Sequence, residues 1–253
     1  MSAITLTNYT KPYKPSFTGR KIPAFKTYGV TQTFEKEITE GLTEYPKTIF
    51  NKIKKKFNPN TRLAPKASDA FPDSPYLQNQ VKTELCPGTQ MTHDQCLTAS
   101  SIVATRNDGT VVEFLLFCEK PELSKGATKG AVGHELTHKA ARLLNVDISQ
   151  LDGFKDAVRK DLNKLSERKT QSIKIYNQYD DYTSKNVKYL TQNSTPENLD
   201  PYGLGEIFAE SGAYLTTGNG VEISNKKKSK FMGTFFPESV AYVRKYFYLL
   251  GMK

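Results

Sequence analysis

Tryptophan is absent from this sequence, and cysteine and histidine are scarce, with three of each in 253 residues. Three cysteines cannot build a disulfide scaffold. Cys86 and Cys96 bracket a turn-like stretch and either close a small loop or stay as two thiols, so the redox compartment is left open. No run approaches the roughly 18 apolar residues that cross a bilayer, which excludes a transmembrane helix on sequence grounds. The opening stretch, MSAITLTNYTKPYKPS, has no apolar segment of the kind a secretory leader needs. The expectation is therefore a protein that stays in the cell, one whose leader has been removed, or one secreted by a route that reads no ordinary signal peptide. Acidic residues are also rare early on. The first 66 residues hold 13 Lys and Arg against 4 Glu, and the whole chain carries a formal charge of +10. That excess favours acidic partners, although a solvated lysine-rich surface accounts for it equally simply. The aromatic and basic pattern of RNA-binding modules is missing, as are zinc-finger and helix-turn-helix signatures, so no specific nucleic acid is expected.

What is present suffices for a core. Hydrophobic residues make up 37% of the chain. Residues 1–30 hold Pro12, Pro15 and Pro23 without periodicity and read as an extended arm. Phe34, Ile38, Leu42, Tyr45, Ile49 and Ile53 recur every three or four residues, which predicts one or two helices between residues 33 and 57. This stretch ends in the basic cluster Lys52, Lys54, Lys55 and Lys56. A breaker-rich stretch over 58–75 predicts a boundary, giving a basic N-terminal arm with a helical segment at 1–70 and a second domain at 71–253. Two apolar runs, 97–104 and 110–118, flank Asn107-Asp108-Gly109, a strong hairpin signal. Helical patterns follow at 129–146, at 147–190 in a long polar form, at 205–216, and at 236–250 behind Pro237. Residues 193–202 read as a loop. The fold class expected is α+β: a small mixed sheet, a central histidine helix and a mostly helical C-terminal half.

The chemistry concentrates in His134-Glu135-Leu136-Thr137-His138. On a helix, residues i and i+4 share a face about 6 Å apart, so both imidazoles aim at one point. Their nitrogens suit Zn2+. Glu135 lies beside that face, placed to take a proton from water without ligating the metal. Chance histidines one turn apart are the bland alternative, and the apolar helix around them and the strand before them count against it.

A catalytic zinc needs a third protein ligand. The remaining histidine, His93, lies upstream, so families that complete this motif with a later histidine are excluded. A carboxylate is expected instead. Glu206 and Glu210 lie one turn apart in an otherwise apolar helical stretch with Ile207, Phe208, Ala209 and Ala213. Two carboxylates on a buried face repel each other unless something compensates them. Glu206 is assigned to the metal and Glu210 to a supporting bond with a histidine N–H. The reverse assignment, or two half-exposed glutamates on an amphipathic helix, are the alternatives.

HELTH followed by a distant Glu206-Ile-Phe-Ala-Glu210 resembles the gluzincin metallopeptidases. It is most similar to the catalytic domain of anthrax toxin lethal factor and its relatives, including the clostridial Pro-Pro endopeptidases. The resemblance implies a zincin-like fold, zinc-dependent endopeptidase activity on a protein or peptide substrate, and a bacterial toxin or effector. It also implies a tyrosine upstream of the ligand helix that stabilises the oxyanion. Tyr202 matches that position, although it stands only four residues before Glu206, and Tyr189 and Tyr214 are alternatives. The strand at 110–118 is expected to hold an extended substrate by edge pairing. A monomer is the default expectation. The competing function is a basic adaptor or nucleic-acid-binding protein with a structural or vestigial metal site, supported by the clusters Lys52–Lys56 and Lys226–Lys230.

Overall fold

The computed structural model describes residues 25–57, 61–85, 90–96, 99–105, 111–120, 127–143, 145–171, 187, 189–217 and 231–249. The proline-bearing arm before residue 25, the Asn107-Asp108-Gly109 turn, Cys86, most of the polar stretch beyond residue 171 and the Lys226–Lys230 cluster lie outside them.

The chain is mixed and mostly helical. Strand β1 (Lys26–Thr27) precedes helices α1 (Gln32–Glu44) and α2 (Lys47–Phe57), then strand β2 (Thr61–Ala64). Helices α3 (Pro75–Thr83) and α4 (His93–Cys96) lead to strands β3 (Ala99–Thr105) and β4 (Val111–Cys118). The helices α5 (Ala127–Leu143), α6 (Asp152–Gln171), α7 (Pro201–Thr217), α8 (Phe231–Phe235) and α9 (Pro237–Leu249) complete it. No helix among the described residues is long and apolar enough to cross a membrane.

One four-stranded sheet runs in the order β1-β2-β4-β3. β3 and β4 are antiparallel, with Thr105 opposite Val111, while β2 lies parallel to both β4 and β1. The inner position of β4 follows from its composition. Leu115 and Phe117 face the main core with Leu63, whereas Phe114, Leu116 and Cys118 face a second core with Ala64, Phe71, Leu77 and Val81. A strand buried on both faces reads as continuous apolar sequence rather than alternation. This corrects the expectation that 110–118 offers an edge to substrate: β4 is paired on both sides, and among the described residues β3 and β1 are the outer strands.

The expected division near residue 70 does not separate the packing. Phe34, Ile38 and Leu42 of α1, Tyr45 just after it, and Ile49 and Phe50 of α2 lie in the same core cluster as Val132, Phe154, Phe208 and Val243. The stretch taken for a linker also supplies β2 and a 3₁₀ turn at Ser68–Ala70. Arg62, counted with the basic arm, is buried. Its guanidinium stacks 4.9 Å from the rings of both Phe71 and Phe114. It donates to the Ala70 carbonyl at 2.5 Å and to Asp73 at 3.0 Å.

Local chemistry fixes the helix ends. Thr31 caps α1 by accepting from the Phe34 amide at 3.2 Å, and its own N–H donates to Glu119 at the end of β4 at 2.8 Å. α5 stops at Asn145, which adopts φ 55°; Asn145 N–H bonds Arg142 O at 3.1 Å and Val146 N–H bonds Ala141 O at 2.9 Å. That is a Schellman ending with asparagine in the left-handed position. α9 starts at Pro237 as expected, but its free amides are satisfied from another helix: buried Asp161 of α6 accepts from Glu238 N–H and Ser239 N–H at 3.1 and 2.8 Å.

Helix α7 begins four residues before the expected start. Asp200 accepts from the amides of Tyr202 and Gly203 at 2.8 and 3.0 Å, and Pro201 opens the first turn. Tyr202 thus sits on the same helix as Glu206, one turn before it. α7 crosses α5 where Gly212 meets Thr137. A Cβ added at Gly212 would stand 2.6 Å from Thr137 Cγ2 and closer still to its hydroxyl. Replacing Gly212 with Val should therefore cost about 2 kcal/mol through overpacking and lower the melting temperature by several degrees in a thermal melt. An unchanged melt would contradict this helix crossing.

Candidate metal centre

Helix α5 is anchored by Ala131, Val132, Leu136 and Ala140, all buried. With that side fixed in the core, His134, Glu135 and His138 fall on the side that meets α7. α7 is held in turn by Leu204, Ile207, Phe208 and Ala213. The Gly212–Thr137 crossing then brings Glu206 and Glu210 opposite the two histidines.

The distances are short and mutual. His134 Nε2 lies 3.1 Å from His138 Nε2 and 3.4 Å from Glu206 Oε2. His138 Nε2 lies 3.3 Å from Glu206 Oε1. One atom from each residue falls within 4.8 Å of the others, a group able to hold a metal ion. On the far side of the His134 ring, Nδ1 lies 3.0 Å from Glu210 Oε2. A carboxylate only accepts, so Nδ1 carries a proton towards Glu210, and once Nε2 gives up its own it presents a lone pair on the side of Glu206 and His138. Lone pairs on three groups converging on one point repel unless a cation or a proton stands among them.

The donor set fits zinc. Ligands about 2.0–2.1 Å from a tetrahedral centre stand about 3.3–3.4 Å apart, close to the separations found, in which each histidine faces a different oxygen of Glu206. Two imidazoles with a carboxylate suit a borderline cation. The centre is closed on one side and open on the other. His134, Glu206 and Glu210 are buried, while His138 and Glu135 are half-buried and Tyr202 is 44% exposed. The group is thus shielded on one side and reachable from the other.

No protein-family model matches this chain, and no curated protein matches it.

The electrostatics of the site follow from burial and charge. Burial opposes a charged His134, but hydrogen bonds and charges from Glu206 and Glu210 outweigh it and hold the imidazole well above its usual range. Burial likewise opposes a charged Glu206, yet the two histidines hold its carboxyl well below the ordinary value. Burial, then the nearby Glu206 and Glu135 carboxylates, push the Tyr202 phenol up to about 12. Burial and the same two carboxylates also raise the Tyr189 phenol. Both tyrosines therefore keep their protons at neutral pH.

Of the residues singled out in the sequence, His134, His138, Glu206 and Glu210 come together, with Tyr202 and Glu135 close enough for charge to be felt. His93 lies in α4 and takes no part in the group. Tyr214 turns away: a Cβ on Gly233 would stand 2.8 Å from its hydroxyl, so it packs on α8. Tyr189 comes closer than its place in the sequence suggests, donating its hydroxyl to Glu206 Oε2 at 2.6 Å. It stands 17 residues before Glu206, at the end of a polar stretch with no motif spacing to mark it.

Two outcomes follow. Glu210→Ala should weaken zinc binding by about 10- to 100-fold, as loss of a supporting carboxylate does, in a chelator competition; an unchanged affinity would remove Glu210 from the centre. A metal ion at Nε2 would also have to displace the proton that a charged His134 carries there. Affinity should therefore fall as pH drops, by about tenfold per unit below the raised value, and a flat pH profile would contradict that arrangement.

Proposed function

We propose that this protein is a zinc-dependent endopeptidase with a zincin-like fold, in which His134, His138 and Glu206 hold the metal. The observation that carries this is the mutual spacing of His134 Nε2, His138 Nε2 and the Glu206 carboxylate, with Glu210 fixing the His134 tautomer.

A zinc ion held there supplies Lewis-acid chemistry, polarising a substrate carbonyl and making a nearby water acidic near neutral pH. Glu135 follows His134 on α5 and is half-buried at the open side. Its carboxylate takes the proton of the attacking water and returns it to the leaving amine. Tyr202 donates its phenol hydrogen to the developing oxyanion. The phenol of Tyr189 is the nearer alternative, but its hydrogen is already committed to Glu206. Tyr214 packs away from the centre, which leaves Tyr202 the better placed donor.

β3 supports the substrate side of this proposal. It is an outer strand of the sheet and contacts α5. An extended peptide adding to that edge would gain main-chain hydrogen bonds and lie beside the histidine helix. The motif resemblance alone supports the further proposal of a secreted bacterial toxin or effector, and the basic charge favours an acidic target protein.

The test combines metal analysis with cleavage. Purified wild type should carry one zinc per chain. Glu135→Gln should keep that zinc and reduce the new N-termini found in a labelled peptide library by at least about 100-fold, the lower range for a lost general base. Equal cleavage by the two proteins would overturn the assignment of Glu135.

A further inference from the structure

We infer that Tyr189 is a positioning residue that restricts Glu206 to ligation through one oxygen, and that Gly203 sets the approach that lets it do so. This rests on the zinc assignment of the preceding section and adds a device to it.

A carboxylate can give a metal one oxygen or two. If Glu206 gave both, its second oxygen would occupy the position that water or substrate needs in a catalytic site. The two oxygens of Glu206 are not equivalent here. Oε2 accepts the Tyr189 hydroxyl at 2.6 Å, within the range of strong bonds to a charged acceptor. Oε1 lies 3.3 Å from His138 Nε2 and Oε2 lies 3.4 Å from His134 Nε2, so both oxygens face the centre and the hydroxyl is what distinguishes them. The phenol occupies a lone pair of Oε2 and fixes the rotation of the carboxylate about its own axis, which favours Oε1 as the ligand atom.

The hydroxyl is held there by its backbone. Leu190, the next residue, is 3% exposed and belongs to the main core. Thr191 Oγ1 donates to the Val187 carbonyl at 2.8 Å, and the Gln192 side chain returns to the Tyr189 carbonyl. The chain then turns sharply, with Gln192 at φ 51°. This segment lies directly on the first turn of α7. A Cβ at Gly203 would stand 2.6 Å from the Thr191 carbonyl oxygen and 3.1 Å from that of Leu190. Backbone cannot yield to such a contact as a flexible side chain can, so only glycine permits the approach. Gly203 is also three residues before Glu206, a neighbouring position on the helix surface. The glycine that admits the 190–191 backbone thereby brings the preceding tyrosine onto the ligand carboxylate.

The experiment uses the full-length metal-free chain, titrated with zinc and separately with cobalt(II), whose visible absorption weakens as a four-coordinate site gains a fifth ligand. Tyr189→Phe removes one hydroxyl from a side chain that is 41% exposed, so folding is retained and a circular dichroism melt checks it. The expected result is zinc binding weaker by about tenfold, in the range for a lost supporting bond, with a weaker cobalt band. Gly203→Ala should reproduce both changes, and the double variant should add little beyond either single one. If Tyr189→Phe binds zinc within twofold of wild type with an unchanged cobalt spectrum, the positioning role is overturned while the zinc centre stands. If wild type itself takes up neither metal, the zinc assignment fails and this inference goes with it.

Discussion

Two buried carboxylates one helical turn apart set the central constraint on this molecule. Glu206 and Glu210 are almost fully removed from water on α7, in a helix whose other residues are largely apolar. Taking a carboxylate out of water without compensation costs several kcal/mol, and a like charge one turn away adds to it. The compensation is in place on α5. His134 stands between the pair, one ring nitrogen towards each, and His138 meets Glu206 from the next turn. A divalent cation on the Nε2 side strengthens this arrangement, since it turns a convergence of lone pairs into ligation and leaves Glu210 to hold the proton on Nδ1.

The rest of the fold works to bring two helices close enough for that. α5 and α7 approach at Gly212 and Thr137, and on its other side α5 meets α1 at Val132 and Gly41. Phe154 and Phe208 pack edge to face at 5.3 Å, joining α6 to α7, and Asp161 ties α9 onto the same layer. The sheet backs this with a strand buried on both faces. Beyond it, the second core gathers around Arg62, whose charge is met by two aromatic faces, a carbonyl and Asp73.

Several of these features were readable from the chain. The repeat of Phe34, Ile38 and Leu42 marked α1, the spacing of the two apolar runs marked the β3–β4 pair, and histidines at i and i+4 with a paired-glutamate helix marked the side chains that come together between α5 and α7. These are local signals, carried by a helical turn or by alternation. What sequence reasoning misplaced depends on contacts distant along the chain. The 58–75 stretch looked like a linker because its prolines are local breakers, whereas β2 is recruited by pairing with β4, about fifty residues later. Arg62 looked like part of a basic arm because no local pattern announces stacking on Phe71 and Phe114. β4 was taken for an edge because nothing within it reveals that β2 lies alongside. Tyr189 carries no spacing relation to Glu206, and the turn that delivers it depends on a glycine fourteen residues later. The start of α7 differs in kind: Asp200-Pro201 is a cap and first-turn signal present in the sequence, and the apolar periodicity that begins later obscured it.

Whether one divalent ion sits among His134, His138 and Glu206 is decided by zinc X-ray absorption on the stoichiometrically loaded protein. The expected spectrum has a shell of nitrogen and oxygen at about 2.0–2.1 Å with the outer scattering of two imidazoles, lost when Glu206 and His138 are both replaced by alanine. A sulfur shell at about 2.3 Å, or an imidazole signal that survives those replacements, would place the metal elsewhere and contradict this assignment.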